Sequence, residues 1–375
     1  MKIESSKKLG DVLKEYKEKN TDNKYKPVAV GRYGIRKRED IYSKELAKDY
    51  SKNKLIYKDT LTVGMGSKQI DIGILTDAEI YAVSPAYHTF RINNIDANYL
   101  RYCLDARNAD MSERFMIASA RQGKSVDFKK MLEYEIPVYS EIDTQTILYN
   151  LSKIENIILN LDSQLEKMEL LVKSRFIEMF GDPVDNSNKL PLVELSELGS
   201  LERGKSKHRP RNAPELLGGP YPLIQTGEVA TSGLYITEYN STYSELGLKQ
   251  SRMWKAGTLC ITIAANIAQT AILTFDACFP DSVVGFVSNG KVTPVYLHYW
   301  FTFFQKVIEE QAPQVAQKNI NLAILSKLKV VVPDIDVQQS FADFVEQVDK
   351  SKLAVQEMKN KMEILKASVM QEYFC

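Results

Sequence analysis

Cysteine is scarce and scattered in this chain. Cys103, Cys260, Cys278 and Cys375 form no CxxC pair and no Cys/His metal spacing. That excludes the sequence signatures of a zinc ribbon or a thioredoxin-like redox motif, and leaves inert thiols in a reducing cytoplasm as the expectation. Histidine is rarer still, with three copies, His88, His208 and His298, none near a candidate nucleophile. No run of 18 apolar residues occurs, so no segment has the length of a membrane-spanning helix. The opening residues MKIESSKKLGDVLKEYKEKN lack the apolar core of a secretory signal. An excess of one charge is missing too. The 49 Lys and Arg residues against 48 Asp and Glu leave a net charge of +1, which argues against a general polyanion binder.

What the chain does have is size and local contrast. Its 375 residues, 44% hydrophobic and 26% charged, exceed what one core usually organises and imply two domains. Charge is concentrated locally. Residues 24–38, KYKPVAVGRYGIRKR, carry six basic residues and no acid, and 203–211, RGKSKHRPR, carry five Arg or Lys plus His208. Basic loops on a neutral chain suit docking on phosphate at defined places.

An internal repeat organises the rest. Residues 142–180 and 335–374 both open on Ile-Asp-x-Gln and close on Phe. At an offset of 194, Gln145 matches Gln339, Ile154 matches Val348, Leu171 matches Leu365, Ser174 matches Ser368 and Phe180 matches Phe374. In the first copy Ile147, Leu151, Ile154, Ile158, Leu161, Leu165, Met168 and Val172 step by four and three. This spacing predicts one narrow apolar seam on a helix roughly 55–60 Å long. In the second copy Phe341, Val345 and Val348 are followed by Val355, Met358, Met362, Leu365 and Val369, a pattern whose phase slips near Lys352. Two such seams are expected to pack on each other as an antiparallel coiled coil.

The preceding segments correspond more faintly. Residues 6–20 parallel 193–207, 25–35 parallel 221–229, 53–66 parallel 252–265, and 73–92 parallel 271–288. Short strands with Gly and Asp turns predict a mixed α/β module in each half. The expected fold is α+β: a first globe over 1–140, a long helix over 141–181, a second globe over 182–332 and a second long helix over 333–375. Residues 181–191, GDPVDNSNKLP, are the linker that follows the first helix. The repeat gives the design a pseudo-two-fold axis, a symmetry it shares with duplex DNA.

Three enzyme-like patterns fail on context. Residues 199–206, GSLERGKS, fit GxxxxGK[ST] letter for letter, but two prolines follow where a phosphate-binding helix must start. Residues 83–87, VSPAY, approach the loop of amino-methyltransferases without its second proline, and no glycine-rich cofactor loop accompanies them. Pro333-Asp334 with Glu357-x-Lys359 approaches a nuclease pattern on residues expected to flank or lie on the long helix. The chain is therefore expected to be non-catalytic and to bind no cofactor or metal of its own.

With its duplicated IDTQ and IDVQQ helix starts, each preceded by proline (IPV at 136–138, VVP at 331–333), and its tandem globes, the chain resembles the specificity (S) subunits of type I restriction-modification enzymes. The resemblance covers essentially the whole chain. It implies a cytoplasmic protein in which each globe is a target recognition domain reading one half of a split, asymmetric double-stranded DNA site. The helices would set the gap and dock two modification methyltransferase subunits. S-adenosylmethionine would belong to those partners, and ATP and Mg to a separate restriction subunit. The chain starts almost at the first globe, so closure of the pseudo-symmetric ring is expected to fall to Tyr373, Phe374 and Cys375.

The family supplies no portable base-reading residues, so contacts are inferred from chemistry. Arg and Lys read guanine, Asn and Gln read adenine, and all four hold phosphate. In the first globe the candidates are Arg32, Tyr33, Arg36, Lys37 and Arg38, then Ser67, Lys68 and Gln69, then Arg121, Gln122 and Lys124. In the second they are Arg203, Lys205, Lys207, His208, Arg209 and Arg211, then Gln225 and Thr226, Asn266 and Gln269, and a late loop of Gln314, Gln317, Lys318 and Asn319. The competing reading is a coiled-coil scaffold with two peptide-binding globes and no DNA.

Overall fold

The computed structural model describes the chain outside residues 32–33, 43–46, 48, 67, 78, 120–122, 209, 265–266 and 312–319. It divides into two compact units, Met1–Ser163 with Gln356–Cys375, and Gln164–Val355. Each unit thus holds a globe and a part of both long helices. Among the described residues no helix is long and apolar enough to cross a membrane.

The first unit begins with β1 (Ser5–Lys8), α1 (Leu9–Val12) and β2 (Leu13–Tyr16), followed by the hairpin β3 (Val28–Gly31) and β4 (Gly34–Lys37). Strands β5 (Lys54–Ile56), β6 (Thr60–Met65), β7 (Ile70–Leu75), β8 (Tyr81–Val83) and β9 (His88–Ile92) follow. An antiparallel sheet runs β2–β9–β6–β7, and β5 pairs separately with β8. Helix α2 (Ala97–Phe115) starts where Asp96 accepts hydrogen bonds from the amides of Asn98 and Tyr99 at 2.8 and 2.9 Å, satisfying donors that a helix start leaves open. It leads through β10 (Met116–Ser119), β11 (Gly123–Val126) and α3 (Phe128–Leu132) to β12 (Glu135–Val138), which pairs with β1, and on into α4 (Glu141–Phe180). Leu61, Val63, Ile72 and Phe90 from the sheet bury against Tyr99, Leu100 and Cys103 of α2, and Ile147 and Leu151 of α4 join the same core.

In the second unit β13 (Leu192–Glu194), α5 (Leu195–Leu198) and β14 (Gly199–Arg203) come first. Next are β15 (Leu217–Leu223), α6 (Thr226–Thr231), β16 (Tyr235–Ile236), β17 (Ser241–Tyr243), α7 (Glu245–Lys249) and β18 (Met253–Trp254). Then β19 (Leu259–Thr262), β20 (Thr270–Leu273), β21 (Ala277–Cys278), β22 (Val283–Ser288) and α8 (Pro294–Gln311) lead to α9 (Leu322–Ser326), β23 (Lys329–Val331) and α10 (Ile335–Phe374). One sheet has the order β14–β22–β19–β20–β16, a second β17–β15–β21–β18, and β13 pairs with β23. Val172, Phe176 and Phe180 of α4 share a core with Tyr296, Trp300 and Phe301 of α8 and with Phe341, Val345 and Val348 of α10. Phe176 is its hub, with ring centroids 5.4 Å from Tyr296, 5.0 Å from Phe303 and 5.4 Å from Phe341.

Equivalent hydrogen bonds occur inside each unit. The amide of Leu9 bonds Tyr134 O and that of Leu195 bonds Leu328 O, both at 2.9 Å. Asp127 caps α3 through the Lys130 amide, and Asn321 caps α9 through the Ile324 amide. Asp59 (φ 59°) and Gly257 (φ 85°) take the left-handed turn before β6 and β19, and their amides bond Leu75 O and Leu273 O. Residues 181–191 carry no helix or strand; they start at Gly181, whose φ of 78° ends α4.

The seam on α4 follows the expected positions, with Ile147, Leu151, Ile154, Leu161 and Val172 buried and Ile158, Leu165 and Met168 half-buried. On α10 the expected phase slip is absent. Met358 is 52% and Leu365 43% exposed. The less exposed line instead runs Val345, Val348, Lys352, Val355, Lys359, Met362, Lys366, Val369, Tyr373, an unbroken alternation of three and four. The phase looked broken because lysines occupy seam positions that an apolar search skips.

Lys366 bonds Glu155 at 2.6 Å, and Lys359 pairs with Asp162 at 2.6 Å, both within the first unit. Glu155 also takes both terminal nitrogens of Arg101 and the hydroxyl of Tyr102. Burial pushes the Glu155 carboxyl up, but the hydrogen bonds from Arg101, Lys366 and Tyr102 outweigh that and bring it down to about 2 from 4.5. A carboxyl lowered in this way stabilises the fold above its unfolded pKa, and the contribution fades as pH falls toward 2. The shift corresponds to at most about 3 kcal/mol at neutral pH. In chemical unfolding, the stability difference between wild type and Glu155→Gln is expected to shrink to less than half by about pH 3. A difference independent of pH would remove this role from Glu155.

Candidate nucleic-acid interface

The basic loop of the second unit leaves β14 at Gly204, where an added Cβ would collide with the carbonyl oxygens of Phe279 and Pro280. Gly199 is equally confined by Val287 O. Both glycines of the GxxxxGK[ST] match are thus explained by close packing, and Gly199–Arg203 is a strand. Beyond Gly204 the loop's main chain is held by its neighbours. Gln250 Oε1 accepts the amides of Lys207 and His208 at 2.7 and 3.1 Å, and Ser251 Oγ donates to Lys205 O at 3.0 Å. The side chains of Lys205 and Lys207 are exposed.

Arg203 and Arg211 converge on one residue. Arg203 Nε donates to Asp281 O at 2.8 Å, and Arg211 pairs with Asp281 Oδ1 at 2.7 Å. The Arg211 side chain is 47% exposed, and surface ion pairs of this kind contribute about 0–1 kcal/mol, little enough for an incoming phosphate or base to displace. His208 is half-buried, with Nδ1 3.3 Å from Pro210 O.

Arg211, Gln225 and Thr226 meet in a cleft of about 240 Å³, with Asn212, Ser241 and Ser282 on its walls and Leu223 and Tyr243 in its lining. Gln225 is exposed just ahead of α6, its amide bonding Glu228 Oε2 at 3.2 Å. Asn212, Ser241 and Ser282 were not among the sequence candidates. Asn212 adjoins Arg211 and could have been included, whereas Ser241 reaches the cleft from β17 and Ser282 from the turn before β22, and neither leaves a local signal.

Gln269 lies apart, on the turn between β19 and β20, with its amide on Thr262 Oγ1 at 3.1 Å. Ala268 beside it has φ 58°. Gln305 Nε2 of α8 bonds Ile267 O at 3.3 Å, and the Ile320 amide bonds Ile263 O at 3.0 Å. Ile320 and Gln305 are thereby both held beside this turn.

In the first unit Arg36 and Lys37 are exposed on β4, and the Arg38 guanidinium lies 5.7 Å from the Tyr50 ring centroid. Lys68 is exposed on the turn between β6 and β7, where Gln69 O accepts the Gly66 amide at 3.0 Å. Lys124 is exposed on β11, opposite Ala118. Gln69 lines a cleft of about 730 Å³ with Gly34 of the hairpin, Arg101, Asn108 and Lys366. Arg32, Tyr33, Ser67, Arg121, Gln122, Arg209, Asn266, Gln314, Gln317, Lys318 and Asn319 lie outside the described residues.

The remaining enzyme-like patterns have structural explanations. Tyr87 packs on Gly64 and donates to Val30 O at 2.9 Å, which fixes the ring of the VSPAY segment in place. Lys359 of the nuclease-like pattern is engaged by Asp162. His298 is half-buried, with Nδ1 3.0 Å from Thr270 Oγ1, and desolvation of its ring holds its pKa down at about 4. The His88 ring stacks on Phe128 at 3.7 Å and pairs with Glu15 at 2.8 Å.

Residues 190–366 match the family described as the type I restriction modification DNA specificity domain. The matched stretch takes in the basic loop, the cleft at Arg211 and most of α10. Over its whole length the chain is similar to the S subunit of a type I restriction-modification system from M. genitalium, with TM-score 0.55 and 14% identity, covering 99% of this chain and 96% of that one. It is also similar to a chain from a structure of complex assembly and conformational transition in the type I R-M system, with TM-score 0.59 and 14% identity, covering 100% and 99%. At such identities these likenesses establish a shared fold. They extend over the first unit as well as the stretch matched by the family.

Proposed function

We propose that the chain is the DNA-sequence-recognition subunit of a type I restriction-modification complex, acts in the cytoplasm, and carries no catalytic site. The specificity-domain match over 190–366 carries this reading. It is supported by a first unit that repeats the same order of elements, from the paired strands β1 and β12 through the capped α3 to a long helix. In this reading the globes over 1–140 and 182–332 are tandem target recognition domains, each taking one half of a bipartite DNA site. Helices α4 and α10 form an antiparallel coiled coil that spaces them. Arg203, Lys205, Lys207 and Arg211, with Gln225 and Thr226, face the DNA of the second half-site; Arg36, Lys37, Lys68, Gln69 and Lys124 serve the first.

Two methyltransferase subunits dock on the helices and bring S-adenosylmethionine, and a restriction subunit brings ATP and Mg. The outward residues Ile142, Tyr149, Leu159, Leu170 and Ile364, each more than half exposed, support such docking, because long helices without partners seldom expose so many large apolar side chains.

The test is single-molecule methylation sequencing of host DNA with and without the gene. A split, asymmetric methylated motif that disappears on deletion is the expected result. Unchanged methylation, in a host that expresses the partner methyltransferase, would return the chain to the scaffold reading.

A further inference from the structure

Lysine recurs at every seventh residue along the inward line of α10, at Lys352, Lys359 and Lys366, flanked at the same spacing by Val345 and Tyr373. Their side chains are 24%, 22% and 28% exposed, against 73% for Lys350 on the outer face. The line on α4 that faces them is apolar throughout, from Ile147 to Val172. Acids stand just beside that line at the same interval: Glu155, Asp162 and Glu169.

The pairing follows one rule. Lys366 bonds Glu155 and Lys359 bonds Asp162, and each pair of numbers sums to 521 (366 + 155 and 359 + 162). Lys352 bonds Asp349 on its own helix at 3.7 Å.

We propose that Lys359 and Lys366 are register-setting residues, which fix how far α10 can slide along α4 by requiring Asp162 and Glu155 opposite them. A lysine on a coiled-coil seam costs stability and is tolerated only where its stem lies on apolar surface and its ammonium reaches an acid. Sliding by three or four residues turns at least one of the two lysines onto Ile or Leu of α4. Sliding by seven in the direction that makes the rule 514 leaves Lys366 against Leu148, whereas in the other direction, 528, the two lysines meet Asp162 and Glu169, so the pairing blocks a heptad slide one way. An all-apolar seam carries no such penalty, and its heptads are interchangeable. Glu155 is also tied to Arg101 and Tyr102 of α2, so the register of α10 is referred back to the first globe. The consequence for DNA rests on the function proposed above: a chain with two registers would methylate sites with two gap lengths.

The experiment uses the purified full-length chain with Cys375→Ser, which removes the exposed thiol. Cysteines are introduced as Ile158→Cys with Met362→Cys for the present register, or as Ile158→Cys with Val355→Cys, one heptad off in the blocked direction. With the lysines present, only the first pair is expected to close under mild oxidation. In the Lys359→Leu, Lys366→Leu background the shifted pair is expected to close at a tenth or more of the in-register yield, with unfolding at equal or higher denaturant. Lys359→Met, Lys366→Met should behave the same way. Asp162→Lys is expected to reduce the in-register yield, and Asp162→Lys with Lys359→Asp to restore it. A shifted pair that stays open in both apolar backgrounds, or a reciprocal swap that restores nothing, would show that the globes alone set the register. Cross-linking reads the register whether or not the chain reads DNA; a missing split motif sinks the proposed function and leaves the cross-linking result standing.

Discussion

Inserting one heptad after Asn160 in α4, together with one after Asn360 in α10, is expected to widen the gap in the methylated motif by about three base pairs and leave both half-sites unchanged. Seven helical residues add about 10 Å, and B-DNA advances about 3.4 Å per base pair. Both insertion points lie between the pairs Lys366–Glu155 and Lys359–Asp162, so the two additions lengthen the same stretch of the seam. Both insertions keep the alternation of three and four, so the seam keeps its phase. The pair of Lys366 with Glu155 is then held on one side of the insertion. A heptad in α4 alone has no such outcome: it leaves seven residues of seam without a partner, and loss of the methylated motif is expected instead. Methylation sequencing of hosts carrying each variant checks both results. The original gap in the doubly extended variant would refute the idea that the helices measure the site.

The long helices were legible in the sequence because an amphipathic period over 40 residues outweighs local noise. The helices expected over 141–181 and 333–375 compare with the observed Glu141–Phe180 and Ile335–Phe374. The phase of α10 was misread for a physical reason: Lys352, Lys359 and Lys366 are half-buried seam residues, and hydropathy scores a lysine by its charge and ignores its apolar stem. The alignment of 25–35 with 221–229 also held where it can be checked. Pro27 bridges Ala82 in parallel, and Leu223 pairs with Cys278 in parallel, at matching positions of the two units. The cleft was only half legible. Arg211, Gln225 and Thr226 were named for their chemistry, but Ser241 and Ser282 arrive from β17 and the segment before β22. Nothing local in a sequence shows which strands will close over a loop. Nor did the sequence reveal that Arg203 and Arg211 share Asp281, an internal contact that DNA would have to displace.

That shared acid shapes the second large prediction. Replacing Lys205, Lys207 and Arg211 together by alanine is expected to weaken DNA binding by the assembled complex by on the order of 10²–10³-fold at about 0.1 M salt. The dependence of log affinity on log salt should flatten by about 1.8, since Lys205 and Lys207 hold phosphate and each phosphate contact contributes about 0.9 to that slope. The loop's main chain is held by Gln250 and Ser251, so the fold should survive, as an unchanged circular dichroism spectrum and unfolding midpoint would verify. Unchanged affinity and slope would remove the loop from the interface. Arg211 separates positioning from reading. It stands in the cleft with Gln225 and Asn212, where a guanidinium can address a guanine edge through two bonds, whereas lysine offers a point charge. Arg211→Lys is therefore expected to keep the salt slope of the wild type and to relax the sequence preference at one base of the second half-site, a change of about 1–3 kcal/mol in discrimination. A motif unchanged by Arg211→Lys would make Arg211 a phosphate contact, and would leave base reading in the cleft to Gln225 and Asn212, whose amides suit adenine.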